Sequence, residues 1–398
     1  MFVEIKKNVY YVGVDDRKTL FFENIWYIPY GISYNVYLLV DEKIALIEGG
    51  TKIEYTRELL DNISSVIDVE KIDYIIVNHM EPDHTGNLPI LYKLAPNAKI
   101  VVSALGKMML ANFYEIKDSN RIIVVRDGDK ISLGKMKLQF FMIPGVHWPE
   151  TMVTYEVTNK ILFSGDAFGS YGALNGKIFD DEIDVNFYLN EAKRYFANIV
   201  GMHANAVQNA LKKLKNLEIS VIAPSHGPIW RKNPMKIVEL YDKLSKYESE
   251  NKVLIVYGSM YGFTEELTNY IARKLAEANV KVTVYNATFT HPSFILGEAW
   301  DSKVILFGLP TYDNGPFPPV FYNAYLFARK RLPNKHFGVF GSSGWSGRGY
   351  TKLIDLLKPL KWELIEPIVE IRGKAKKEDF ERAEELVKNI ISIVKESQ

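Results

Sequence analysis

Cysteine is absent from the 398-residue chain. That excludes disulfides, Cys-ligated iron–sulfur clusters and thiolate zinc sites, so any metal must be held by nitrogen and oxygen. A catalytic thiol is excluded with them. No run of 18 uninterrupted apolar residues occurs, which argues against a membrane span. Neither sign of charge dominates: 49 Lys and Arg against 48 Asp and Glu leave a net charge of +1. There is accordingly no electrostatic case for nucleic acid or an anionic membrane as partner. The opening MFVEIKKNVYYVG lacks the basic-then-apolar order of a signal peptide, so a cytoplasmic location is expected.

What is present is the composition of a soluble globular protein, 47% hydrophobic and 24% charged. The length calls for more than one core, and the patterning changes near residue 250. Short apolar strands dominate before it, at 34–50, 71–79, 98–103, 121–128, 136–145, 151–166 and 219–227, with hairpin turns at VDEK and VTNK. Helical patterns fall at about 51–66, 104–114, 185–216 and 231–249. Strands assembled into sheets with helices on the outer faces make a layered α/β domain over 1–250. From 251 to 398 strands and helices alternate strictly, with strands at 252–259, 281–287, 303–310, 336–343 and 362–371. That rhythm predicts a doubly wound, five-stranded parallel sheet. The polar stretch 241–252 is the expected junction.

In YIIVNHMEPDHTGN (74–87), His79, Glu81, Asp83 and His84 follow a buried strand. His147, Asp166 and His226 also follow apolar strands, beside glycine or proline. Any one of these histidines alone is most simply a loop or core residue. The grouping is what matters: of the seven histidines, His203, His291 and His336 show no such company. Histidine and carboxylate without sulfur suit zinc, iron or manganese. Seven candidate ligands exceed one tetrahedral zinc but fit two metals bridged by a shared carboxylate.

The arrangement resembles the metallo-β-lactamase superfamily signature H-x-H-x-D-H with downstream His, Asp and His. Glu81 stands where the hydrolases usually have histidine. A carboxylate there adds negative charge and a hard oxygen donor, favouring Fe(III) over zinc. H-x-E-x-D-H is the pattern of the flavodiiron proteins (A-type flavoproteins), and GDAFGSYGAL is similar to their bridging-aspartate segment. The resemblance implies an αββα metallo-β-lactamase-like sandwich carrying two iron ions. It assigns His79, Glu81 and His147 to one iron, Asp83, His84 and His226 to the other, and Asp166 to the bridge. It leaves His84 open between ligand and neighbour.

In the second half three loops leave strand ends. Ser259, Met260, Tyr261, Gly262, Phe263 and Thr264 open a helix, where free N–H groups and the helix dipole favour a terminal phosphate. The loop has neither the lysine of a P-loop nor the G-x-G-x-x-G spacing of a dinucleotide site. GLPTYDNGPFPP (308–319) and GSSGWSGRG (341–349) combine glycine with a stackable aromatic ring. The three loops converge on the switch-point crevice of such a sheet. This half resembles flavodoxin. By that resemblance Ser259–Thr264 hold the FMN phosphate. Pro310, Thr311, Tyr312, Asp313, Asn314 and Gly315 flank one side of the isoalloxazine. Ser342, Ser343, Gly344, Trp345, Ser346 and Gly347 flank the other, with Trp345 as stacking partner.

Flavin and diiron motifs in one chain imply an oxidoreductase. An external donor reduces FMN, which feeds a diiron site reducing dioxygen to water, nitric oxide to nitrous oxide, or both. Trp26, Tyr27, Trp148, Phe168 and Tyr171 are expected either to line that pocket or to pack the core. The family implies a head-to-tail homodimer, or a dimer of such dimers, placing one subunit's FMN against the other's irons. With no cysteine for a fused rubredoxin and no appended reductase, the expected donor is a separate rubredoxin-type protein or a reduced deazaflavin. The alternatives are a zinc-dependent hydrolase with an accessory flavodoxin-like domain and a flavin electron carrier with a structural first half.

Overall fold

The VDEK turn forms as a hairpin and starts the first sheet's central pairing. Counting only strands of the three main sheets, β1 (Val3–Lys6), β2 (Val9–Tyr11), β3 (Tyr37–Val40), β4 (Ile44–Ile47), β5 (Tyr74–Ile76), β6 (Lys99–Val102) and β7 (Ile122–Val124) lie side by side in chain order. β1 to β4 pair antiparallel, and β4 to β7 run parallel. The second sheet follows with β8 (Lys130–Ser132), β9 (Lys137–Met142), β10 (Met152–Glu156), β11 (Ile161–Gly165) and β12 (Val221–Pro224). It is antiparallel until the last pair, β11 with β12, which is parallel. The structure, a computed structural model, describes residues 2–395.

Strand alternation separates two cores. Tyr37, Leu39, Ala45, Ile47, Ile76 and Val101 meet Leu138, Phe140, Phe163 and Val221 of the second sheet. The alternate residues Leu38, Leu46, Ile75, Ile100 and Val102 pack on helical Leu59, Leu91 and Leu110. Each sheet thus buries one face on its neighbour and one under helices, the αββα sandwich. The expected helix over 185–216 is interrupted. Val185–Tyr195 leads into a wide π turn, Phe196–Val200, then a 3-10 turn, Gly201–His203, before Ala204–Leu214 resumes. All five side chains of the wide turn are buried, so packing overrides the helical period there.

In the second unit β13 (Glu250–Tyr257), β14 (Lys281–Asn286), β15 (Ser302–Tyr312), β16 (His336–Ser343) and β17 (Glu363–Arg372) lie in the order β14-β13-β15-β16-β17. All four of these pairings are parallel, and a sixth, two-residue strand, Gly315–Pro316, joins the sheet antiparallel to the end of β15. The order reverses between β13 and β15, which opens a crevice at their C-terminal ends. The chain forms two compact units, Met1–Ser245 and Lys246–Gln398. Of the stretch read as a polar junction, 241–245 completes the helix Pro234–Ser245 and Glu250 begins β13. No helix among the described residues is long and apolar enough to cross a membrane.

Candidate metal centre and flavin cradle

Strand ends aim the candidate ligands at one point. β5 runs into Asn78 and His79, β11 into Asp166, and β12 into Ser225 and His226, while His147 precedes β10. Asp83 and His84 ride on a single helical turn, Pro82–Thr85, started by Pro82. All seven candidates meet there in three overlapping groups of potential ligand atoms.

Asp166 organises the groups because its two oxygens face opposite ways. Its Oδ2 lies 3.0 Å from His147 Nε2 and 3.3 Å from His79 Nε2. Its Oδ1 lies 3.2 Å from His84 Nε2 and 3.5 Å from His226 Nε2. Glu81 Oε2 joins the first side, 2.9 Å from His147 and 3.6 Å from His79. Asp83 Oδ2 joins the second, 3.4 Å from both His84 and His226. The Nε2 atoms of His84 and His226 point at each other across 3.1 Å. His84 therefore stands within the second group.

The electrostatics are those of interleaved charges in a buried site. Burial would lower the imidazoles of His79, His147 and His226, yet all three are raised because carboxylates face them. His147 reaches about 10 through Asp166 and Glu81. Burial would raise Asp166, but His79, His147 and His84 hold it well below the usual carboxylate range. Glu81 is likewise lowered, against its burial, by His147 and then His79. Buried atoms without a hydrogen-bond partner among the described residues include His79 Nε2, both oxygens of Asp83 and Asp166 Oδ2. Convergent, unsatisfied N and O donors of this kind are what two bridged metal ions would complete.

Supporting contacts hold the donors in place. His226 Nδ1 contacts the Ser33 carbonyl at 2.7 Å, which leaves Nε2 free for a metal. Ser225 Oγ donates to Asp166 Oδ1 at 2.5 Å. Trp148 packs edge-on to His79 and His147, and Tyr171 packs edge-on to Tyr195, which in turn lies tilted against His226. Phe168 packs on Tyr241 and Trp26 is buried. Asp83 also lines a cavity of about 670 Å³ with Lys52, Glu54 and Tyr114. His203 closes a 3-10 turn, His291 caps a helix through Ser293 N, and His336 pairs with Glu363; none joins the centre.

In the second unit a cleft of about 380 Å³ lies at the sheet's C-terminal edge. Met260, Tyr261 and Phe263, then Pro310–Asn314, then Ser342–Ser346 line it from three loops. Thr264 lies beneath and bonds Ser342 Oγ at 2.9 Å, and Ser259 Oγ accepts from Gly262 N. Ser259, Gly262, Gly315 and Gly347 lie outside the lining, whereas Gly373, which the sequence did not single out, is part of it. Gly262 takes a left-handed φ of 89° as it enters the helix Phe263–Glu277, and no side chain caps that helix. Its free N–H groups suit a phosphate, and Tyr261 and Trp345 are exposed enough to cover a flat ring, at 81% and 87%.

Comparison with known proteins agrees with this pairing. Residues 32–227 match the model of the ODP family beta lactamase and 255–386 that of flavodoxin. The nitric oxide reductase of Moorella thermoacetica is 33% identical over 98% of each chain. The rubredoxin oxygen:oxidoreductase structure from Desulfovibrio gigas superposes with a TM-score of 0.95, at 32% identity, covering 100% of this chain and 99% of that one. The flavodiiron protein from Giardia intestinalis follows at 0.93 and 27%, covering 100% and 98%. The chain belongs to the flavodiiron protein family.

A flavodiiron protein carries FMN and a non-haem diiron site, and the two donor sets above fit both groups. Three buried groups around the centre escaped the sequence reading. Glu48 follows β4, with a carboxylate bonded to Asn78 and the Gly165 amide. Tyr34 and Tyr195 pack edge-on or tilted to His226, with hydroxyls lacking partners among the described residues. An acid directly before Gly49-Gly50 at a strand end was the signal available for Glu48.

Proposed function

We propose that this flavodiiron protein reduces dioxygen to water, nitric oxide to nitrous oxide, or both, with electrons entering through FMN from an external donor. The observation that carries this is Asp166, whose two oxygens serve separate groups of N and O donors in a chain that also has a flavin cradle. His79, Glu81 and His147 would hold one iron and Asp83, His84 and His226 the other, with Asp166 placed to serve both. When bound, two ferrous ions and one reduced FMN would supply four electrons, the number dioxygen needs to become two waters; nitric oxide to nitrous oxide would take two.

The chain's own residues set the conditions. Glu81, Asp83 and Asp166 compensate the cations and, being anionic, favour the oxidised metal state. Trp148, Tyr195 and Phe22 wall the site with apolar surface and limit water, since they pack against His79, His147 and His226. Ser259–Thr264 would hold the FMN phosphate, and Pro310–Asn314 and Ser342–Ser346, Trp345 among them, would flank the ring. The donor is a separate rubredoxin-type protein or a reduced deazaflavin. Assembly is a head-to-tail homodimer, or two of them, in which one subunit's FMN meets the other's irons. The protein works in the cytoplasm.

The test combines a visible spectrum, metal analysis and anaerobic stopped-flow. Flavin absorption with about two irons per chain is expected. Reduced protein should reoxidise within seconds on mixing with oxygen or nitric oxide. Zinc without flavin, or no reoxidation by either gas, would overturn the proposal.

A further inference from the structure

Beyond β5 the chain leaves its sheet, and backbone N–H groups there need acceptors other than a neighbouring strand. Val77 still donates to the Val101 carbonyl at 3.0 Å. Met80, between His79 and Glu81, is wholly buried, and its N–H donates to Glu150 Oε1 at 2.8 Å. Its carbonyl accepts from Thr85 Oγ1 at 3.1 Å, and its side chain belongs to the core of Leu88 and Leu91. The residue joining two candidate ligands of one metal is thus held through both of its backbone polar groups.

Glu150 is itself fixed. It is 4% exposed, and its carbonyl accepts at 2.9 Å from Ser103 Oγ, the hydroxyl that caps the helix Ala104–Tyr114. His147 stands three residues before it, in the connection between β9 and β10. That connection is closed by bonds from Ile143 N to the Thr151 carbonyl at 2.9 Å and from Gly145 N to the Trp148 carbonyl at 2.8 Å. Glu150 therefore ties the loop of His147 to the stretch carrying His79 and Glu81. These are the three residues on the Oδ2 side of Asp166. Asp83 and His84 follow on a helical turn with its own bonds to the Glu81 carbonyl, and His226 leaves a different strand.

We propose that Glu150 is a positioning residue for one metal of the pair: by accepting the Met80 N–H it sets His79 and Glu81 against His147, so that three donors meet one ion. The inference rests on the diiron reading above. What Glu150 supplies is an acceptor at the right place, and its charge is incidental.

Glutamine is therefore the informative substitution. Glu150 Oε2 is buried with no hydrogen-bond partner among the described residues. In Glu150→Gln the amide oxygen keeps the Met80 bond, and the NH₂ takes the place of an oxygen that held nothing. Glu150→Ala leaves the buried Met80 N–H without that acceptor and unties the two loops.

The test loads ⁵⁷Fe into wild type, Glu150→Ala, Glu150→Gln and Glu150→Asp, with His147→Ala and His226→Ala as references for the two metals. FMN per chain, iron release to a chelator and Mössbauer spectra are then compared. Glu150→Ala should keep its FMN and one firmly held iron, and release the other about 10–100-fold faster. The quadrupole doublet it alters should be the one lost in His147→Ala, while the one lost in His226→Ala stays as in wild type. Glu150→Gln should match wild type in release and spectrum. Glu150→Asp keeps the acid but draws the acceptor back, and should loosen the same iron to a lesser degree.

Should the alanine variant not fold, Glu150→Asp and Glu150→Gln carry the comparison. Glu150→Gln as loose as Glu150→Ala or Glu150→Asp would make charge the cause and overturn the inference. So would wild-type release in Glu150→Ala, or in Glu150→Asp where alanine does not fold. Loosening of both irons alike, or disturbance of the His226 doublet instead, would overturn it too. Wild type without iron would instead sink the diiron reading itself.

Discussion

Removing the metals tests the charge arrangement of the centre directly. Without cations, protons hold the interleaved groups together: His79, His147 and His226 are raised and Asp166 and Glu81 lowered. A histidine with a raised folded pKa contributes stability that is complete below its unfolded value. That contribution is lost as pH rises through the folded value. For His147 the window runs from about 6.5 to about 10. At ~1.4 kcal/mol per tenfold change in proton affinity, this amounts to at most roughly 5 kcal/mol, since the ring shares its proton energetics with Glu81 and Asp166. One to three histidines releasing protons together give a slope of about 1.4–4 kcal/mol per pH unit. The loaded protein should be nearly flat over this range, because metal ions take the protons' place. Hydrogen exchange read by mass spectrometry at pH 6 to 9, corrected for intrinsic rates, follows peptides of Met1–Ser245 separately from the rest. Protection in the chelator-treated protein should fall with rising pH and stay level in the loaded protein. A metal-free first unit as stable at pH 9 as at pH 6 would refute the reasoning.

Glu81→His should retain FMN but hold iron more weakly and lose reductase activity, as read by metal analysis and gas consumption, because a hard anionic donor is replaced by a neutral one. Ser225→Ala removes the 2.5 Å bond to the Asp166 oxygen and should cost about 1.5–3 kcal/mol in the metal-free protein, measured by denaturant unfolding. In the second unit, Lys335 is buried and pushed down to about 7, mainly by burial, with Lys252 adding to it. A lysine lowered in the folded state penalises folding most below pH 7, and the penalty fades as pH rises towards about 10.4. Lys335→Met should therefore stabilise Lys246–Gln398 by about 1–3 kcal/mol at pH 6. The gain should vanish near pH 10, where the lost bonds to Ser249 and the Trp300 carbonyl remain as a cost.

The parts of the fold legible in the sequence were those with strong local pattern. His336–Ser343 and Ala104–Tyr114 lie where the apolar periods put them. β1, with only one buried residue, and β8, with none, carry no such pattern and exist through pairing with neighbours. The helix Leu88–Leu94 was hidden for a related reason: at seven residues it spans barely two turns.

The sequence by itself determined the chemistry available: no sulfur, four histidines and three carboxylates at strand exits, a carboxylate at Glu81, and three glycine-bearing loops after parallel strands. These are properties of single segments, written in residue type and short-range spacing. Only the tertiary structure decided that the two oxygens of Asp166 face different groups, that His84 meets His226 although 142 residues separate them, and that Glu48 stands behind both His79 and Asp166. Those relations depend on which strands pair and in what register. Pairing is set by the burial of whole sheet faces, so no local stretch of the chain encodes it.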